Sequence, residues 1–335
     1  MYIGWAHSAI PKFFAISAFI VNPMFIYIIL KDTKLQLGMY KYLLFYFSIF
    51  NMSCSLCDLL VPICIFDYRY AFSIFVVDGY FETPSDFGRY LLAFRCSYIT
   101  GTYAVLHAHF AYRYMILVCD VFLKTYFFPF GLISSVLYCI CHMMFWTGVA
   151  GFLSSGYHVE RRMYLRESML EYYGIDTLDM NIIIAQYWEA DPEFIWNSWI
   201  GIGLLSIVSL ASLSLLLILG YLTVQELQKQ ASLMSATTKR QQTQLIKALV
   251  VQTLTPTIAS FSPCFFSWYQ PVFGIDGGRW LQYASGIAMS TFPFLDPLAI
   301  IIILPSFRNL LDKMIRQLTN RRVESGRISQ TITIC

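Results

Sequence analysis

Six ionisable side chains sit where an apolar sequence should carry none. Arg95, His107, His109 and Arg113 fall in one segment, and Asp58 and Asp296 fall in two others. Intramembrane groups of this kind are expensive and are functional candidates by default. Two carboxylates suggest acid–base hydrolysis. By the helical rise, however, Asp58 lies about 24 Å and Asp296 about 12 Å from the same edge of their segments, too far apart for a dyad. Retinal chemistry needs a Schiff-base lysine in the last apolar segment, and none occurs between Lys247 and Lys313. The nine cysteines, at 54, 57, 64, 96, 119, 139, 141, 264 and 335, lie mostly in apolar runs and lack metal-ligand spacing. His142 reads as a packing residue. Neither an enzyme nor a cofactor or metal site is expected.

The elements that position these groups are legible from composition. Of the 335 residues, 57% are hydrophobic, 17% aromatic and only 13% charged. Soluble domains carry about 25% charged residues. With a mean hydropathy of +0.58, the chain is expected to be an all-α membrane protein. A soluble enzyme, a nucleic-acid-binding module and a disordered tail are excluded. A span needs about 20 apolar residues, and seven are predicted: 10–30, 42–66, 90–118, 126–150, 194–222, 248–269 and 280–304. They form one bundle over 10–304, between an N-terminal segment 1–9 and a tail 305–335, with the lipid bilayer as solvent. No internal repeat is visible, and no cleavable signal peptide is expected, because no basic stretch precedes the long first run.

Charge sets the expected orientation. The flanks 31–41, 113–125, 223–247 and the tail hold fifteen Lys/Arg against five acids; the opposite flanks hold eight against thirteen. The first set is predicted to be cytoplasmic, with the N-terminus outside and the C-terminus inside. The outer segment 151–193 is long and acidic enough to form a lid. It contains no cysteine, so Cys96 is expected to be a buried thiol without a bridge to it. From Ser306 to Leu318, Phe307, Leu310, Leu311, Met314 and Leu318 share one face and Arg308, Asp312, Lys313 and Arg316 the other, an amphipathic helix on the inner leaflet that Ser306 can cap.

On the third span, 100° steps align Arg95, Ile99, Thr102, Leu106, His109 and Arg113 in one inward stripe. Arg95 and Arg113 are about 27 Å apart, near opposite edges of the hydrocarbon. Arg95 is at the depth of Asp58, so the two are expected to pair; His107 and His109 are the expected partners of Asp296. Pro256 and Pro263 in the sixth span, and Pro293 and Pro297 in the seventh, permit kinks.

Six stretches resemble one family: IPKFF (10–14), FIVNPMFIY (19–27), LQLGMYKYLLFYFSIF (35–50), FDYRYAFSIF (66–75), RCSYITGTYAVLHAHFAYRY (95–114) and FPFLDPLAI (292–300). Together they make the chain similar to the nematode seven-transmembrane chemoreceptors of serpentine receptor class j, related to class str. The resemblance implies a GPCR-like fold and a chemosensory, olfactory-type receptor in the plasma membrane of a sensory cilium. It also implies a small environmental ligand and a heterotrimeric G protein as partners, and no nucleic acid. A ligand from outside would contact the outer halves of spans three, five, six and seven, with Arg95, Tyr98 and Thr102 as candidates. Asp58, His107, His109 and Asp296 would form a polar network. Arg113 and Tyr114 would face the G protein, beside the 223–247 loop, when the sixth helix swings. Tyr112-Arg113-Tyr114 lacks the acid of the wider rhodopsin-like motif, and Ile300 stands where a tyrosine follows Asp296-Pro297. A transporter or ligand-gated channel is the alternative; a seven-span transporter would show a three-helix repeat, and insect-type odorant channels place their N-terminus inside.

The charge asymmetry generates one prediction. A tag placed before Met1 should be reached by antibody on intact cells, and a tag after Cys335 only after permeabilisation; finding both on one side would remove the seven-span arrangement.

Overall fold

The computed structural model describes residues 5–31, 38–76, 78–153, 159–232, 234–275, 278–303, 307–309, 311–313 and 316. Helices α1 (Trp5–Lys31) and α2 (Tyr40–Leu60) lead into strands β1 (Ile63–Tyr68) and β2 (Ala71–Val76). There follow α3 (Asp86–Cys96), α4 (Tyr98–Val118), α5 (Asp120–Tyr126), α6 (Leu132–Leu153), α7 (Val159–Tyr173) and β3 (Ile182–Gln186). The chain continues through α8 (Pro192–Gln230), α9 (Ala236–Pro256), α10 (Ser262–Tyr269) and α11 (Gly278–Ile303). With α3/α4, α5/α6 and α9/α10 each forming one broken column, the described residues build seven columns. Five described stretches are long and apolar enough to cross a membrane: Ser8–Lys31, Tyr40–Leu60, Asp120–Gly151, Pro192–Gln230 and Gln282–Ile303. The third and sixth columns carry the polar residues that keep them below that mark.

Column three is central. Every residue of α4 from Tyr98 to His107 is buried, as are His109, Phe110, Tyr112 and Arg113. A Cβ at Gly101 would come within 2.9 Å of the Phe50 ring and 3.0 Å of Met143 Sδ, so glycine there lets α2 and α6 close on α4. Large apolar side chains such as Ile207, Leu217 and Ile258 point outward, the pattern of helices solvated by lipid. Proline effects are compensated locally. Pro297 cannot donate to the carbonyl of Pro293, and Asn22 Nδ2 of α1 donates to that oxygen at 3.0 Å. A π-type turn, Thr257–Phe261, follows Pro256.

One expected span requires correction. Residues 61–66 do not continue the second helix: α2 ends at Leu60, and β1 begins at Ile63. Pro62 disfavours a helical Val61, and the β-branched and aromatic residues beyond it fit a strand. β1, β2 and β3 form an antiparallel sheet in that order, with Ile65 opposite Ile74 and Ile74 opposite Ile183. Ile63, Ile65, Phe72, Ile74, Ile183 and Ala185 face the bundle core. Cys64, Phe66, Phe75, Ile182 and Ile184 face Leu165, Met169 and Tyr173 of α7. The sheet is thus covered on both faces.

The lid expected over 151–193 is therefore built from α7 and β3 rather than from a loop. It is fastened by polar contacts. Arg162 Nη1 donates to Thr177 O at 2.9 Å and Met180 O at 3.0 Å, and Thr177 Oγ1 donates back to Arg162 O at 2.8 Å. Asn181 Nδ2 donates to Phe81 O and Thr83 O, each at 2.7 Å. Arg166 grips both oxygens of Asp176 and, with the Leu178 N–H, holds that carboxyl below the usual carboxylate range. The described cysteines are free thiols, Cys96 among the buried ones. Beyond α11, Phe307 is buried and stacks on Phe25 at 5.6 Å. Leu311 packs on the same core, while Arg308, Asp312, Lys313 and Arg316 are exposed. Ser306, Leu310, Met314 and Leu318 lie outside the described residues.

Arg162→Ala should therefore loosen the lid, because buried carbonyls lose a charged donor. We expect a loss of about 2–3 kcal/mol in thermal denaturation of the detergent-solubilised protein, with faster amide exchange over 177–186. Unchanged exchange there would show that the fastening lies elsewhere.

Candidate functional site

Beneath the sheet lies an apolar cavity of about 50 Å³. Phe72, Ile74, Ile183 and Tyr187 roof it, with Ile99 of α4, Trp146 of α6, Ile202 and Leu205 of α8, Trp268 of α10 and Met289 of α11 around it. The Trp146 and Trp268 rings stand 5.4 Å apart. Arg95 is the one charged residue on its wall. Its guanidinium is committed: Nε donates to Asp58 Oδ1 at 2.8 Å, and Nη2 donates to the same oxygen. Ser290 Oγ of α11 donates to that oxygen at 3.2 Å. Both charged side chains are 3% exposed. The pair ties α2, α3 and α11 together directly under the sheet, and mutual charge neutralisation is what permits either to be there.

Below the ion pair the polar residues continue along the bundle axis. Asn51, Gln252 and Asp296 are fully buried. Asn51 and Gln252 stand close to the Asp296 carboxylate, yet among the described residues none of their six side-chain polar atoms is in hydrogen-bonding geometry. The pairing of Asp296 with His107 or His109 is corrected by the structure. His109 Nδ1 bonds with Tyr40 Oη at 2.9 Å. His107 meets Tyr138 Oη at 3.1 Å and Ser212 O at 3.0 Å. Both imidazoles bond instead with groups on α2, α6 and α8. His142, read as a packing residue, meets Thr100 Oγ1 at 3.1 Å.

At the end away from the sheet, Arg113 is 4% exposed. Its guanidinium lies 3.5 Å from the centroid of the Tyr40 ring and 6.0 Å from that of Tyr112. A desolvated cation over a ring gains about 2 kcal/mol. Tyr40 thus joins Arg113 to His109. Tyr114 is half-buried.

Of the three candidate ligand residues, the structure brings Arg95 alone to the cavity wall. Tyr98 packs between Phe50 and Phe94 with its hydroxyl toward Ser53, and Thr102 Oγ1 is spent on Tyr98 O at 2.8 Å. Ser97, between α3 and α4, keeps helical dihedrals, so Ile99 follows Arg95 onto the cavity wall while Tyr98 and Thr102 face other neighbours. Tyr40, Asn51, Gln252 and the roofing residues were not anticipated. Asn51 and Gln252 had a signal, as amides inside apolar runs; Tyr40, at a helix edge, had none.

Comparisons with known proteins agree on one kind of molecule. The family model for serpentine type 7TM GPCR chemoreceptor Srj matches residues 1–311. The chain is 38% identical to serpentine receptor class J-38 of Caenorhabditis elegans over 310 residues, 92% of this chain and 93% of that one. It is 27% identical to serpentine receptor class r-10 of Caenorhabditis briggsae, covering 88% and 86%. It is 23% identical to G-protein coupled receptor str-33 of Caenorhabditis elegans, covering 91% and 89%.

The two buried carboxylates should respond oppositely to neutralisation. Asp58→Asn strands the Arg95 guanidinium and should cost about 3–5 kcal/mol, with the double exchange Asp58→Arg/Arg95→Asp recovering part of it. Asp296→Asn keeps the shape and removes an unpaired charge, so its melting temperature should match or exceed wild type. Equal destabilisation by the two Asn variants would refute this assignment.

Proposed function

Because the chain belongs to the serpentine type 7TM GPCR chemoreceptor Srj family, we propose that it is a chemosensory receptor. It binds a small environmental chemical under the sheet and activates a heterotrimeric G protein at the opposite end. The sheet-capped end faces outward and the end carrying Arg113 faces the cytoplasm, the orientation that the Lys/Arg distribution favours. The receptor sits in the plasma membrane, at the sensory cilium of a chemosensory neuron. The observation that carries this reading is the spatial separation of a sheet-capped apolar cavity from a buried arginine, joined through the polar core of one central helix column.

The two ends are coupled by population shift. In the arrangement described, Arg113 is covered by Tyr40 and unavailable to a partner. A ligand that prefers a bundle in which this contact is broken raises the fraction of that state by its differential affinity alone. Arg95 shapes the cavity wall and holds α3 to α2, with Tyr98 and Thr102 backing it. Asp58, Asp296, His107 and His109 are the polar groups whose partners change as the helices move. Arg113, with Tyr114 beside it, then presents its planar fork to carbonyls of the G protein, a role that an ammonium fills less well.

Reporter-cell assays at matched surface expression test this. Arg113→Ala should abolish signalling, with Arg113→Lys intermediate; equal signalling by wild type and Arg113→Ala would remove the coupling role. Tyr40→Leu should raise basal signalling several-fold, up to the roughly thirty-fold that about 2 kcal/mol of cation–π contact allows. Tyr40→Phe, which keeps the ring, should raise it much less.

A further inference from the structure

Among the described residues, the sheet covers the cavity from its own side. Its roof strands are buried on both faces, against the bundle below and against α7 above. It does have a neighbour. A second cavity of about 280 Å³ lies among α4, α8, the Thr257–Phe261 turn and α10. The two share Ile99, Cys264 and Trp268 as a common wall. The outer cavity is edged by Leu210, Phe265 and Phe266, which are 58%, 42% and 58% exposed. Those side chains stand on the flank that faces lipid, so this cavity opens sideways into the hydrocarbon. The π-type turn lies at its mouth, with Pro256 before it and Pro263 after it. An irregular, proline-flanked turn widens more readily than a regular helix.

The inner cavity also states what it accepts. Besides the thiols of Cys96 and Cys264 and the indoles of Trp146 and Trp268, its wall is apolar save for two residues. Arg95 is already neutralised by Asp58, so an anionic guest would have to break a buried ion pair. The Tyr187 hydroxyl is fully buried and, among the described residues, makes no hydrogen bond. An unmet buried hydroxyl is a standing cost of about 1–3 kcal/mol, removed by any guest that brings one acceptor.

We propose that the receptor takes an uncharged, lipophilic small molecule bearing one hydrogen-bond acceptor oxygen, which reaches the cavity from the bilayer between columns five and six. Ile99, Cys264 and Trp268 form the gate, and Tyr187 donates to the acceptor. This deepens the receptor reading and rests on it for the biological role of the guest.

Photolabelling of the full-length protein in phosphatidylcholine nanodiscs tests the route without any G protein. The probes are 3-phenyl-3-trifluoromethyl-diazirine, its para-acetyl analogue, which adds one carbonyl acceptor, and its para-sulfonate, which is charged and confined to water. Both neutral probes should insert at Met289 and Ile202, residues of the inner cavity, and the sulfonate should not. The acetyl probe should label them roughly three- to tenfold more than its parent, the effect of one net hydrogen bond, and Tyr187→Phe should erase that ratio. Ser209→Trp, which fills the outer cavity from its buried wall, should cut Met289 labelling while leaving lipid-facing Ile207 and Ile258 labelled as before; Phe265→Ala should raise it. The raised labelling by Phe265→Ala keeps the test decisive should the tryptophan variant fail to fold. Neutral-probe adducts confined to lipid-facing residues, equal labelling by the sulfonate, or indifference to the outer-cavity variants would overturn the route. A ratio unchanged in Tyr187→Phe would overturn the ligand class. Loss of G-protein signalling in cells would instead overturn the receptor reading and leave these labels as they are.

Discussion

The energetic penalty for ionisable groups in an apolar medium organises this molecule. The third column carries two buried arginines and two buried histidines, and lipid contact would cost several kcal/mol for each charge. Only the centre of the bundle offers partners on all sides, and α4 lies there, almost wholly buried. The polar groups then recruit partners on three helices: Arg95 takes Asp58 of α2, His109 takes Tyr40 of α2, and His107 takes Tyr138 of α6 and a carbonyl of α8. Helix order around the core is thereby tied to a set of directional bonds, in a medium where apolar packing alone discriminates weakly between neighbours.

The sheet answers a second constraint. Helices alone leave a bundle open at its end. Three short strands from two distant parts of the chain close it, each turning one row of side chains to the cavity and the other to α7. Two-sided burial satisfies the backbone through the ladder and leaves the strands free to be apolar throughout. The fastening is by Arg162, Asn181 and the Arg166–Asp176 pair, bonds that are individually weaker and more readily remade than a covalent bridge.

Between the two ends, the polar core is incompletely bonded. The Arg95–Asp58 pair is well matched, whereas Asn51 and Gln252 stand beside the Asp296 carboxylate in poorer geometry. Buried groups bonded this loosely constrain the helices less than the ion pair, which sets their register.

The sequence by itself determined the number and order of the apolar columns, the inward-facing polar stripe of the third, the pairing of Arg95 with Asp58, and the amphipathic character after the last span. These rest on composition, on period and on depth along a helix, all properties of local sequence. It did not separate residues 63–66 from the helix before them, because a strand buried on both faces and the end of an apolar helix read alike. Nor did it find the roof of the cavity, the partners of the histidines, or Tyr40 over Arg113. Those depend on which residues from distant segments meet, as Ile74 meets Ile183 and Tyr40 meets Arg113. Such meetings are settled by competition among all the partners that a packed bundle offers, and only the tertiary structure decides that competition.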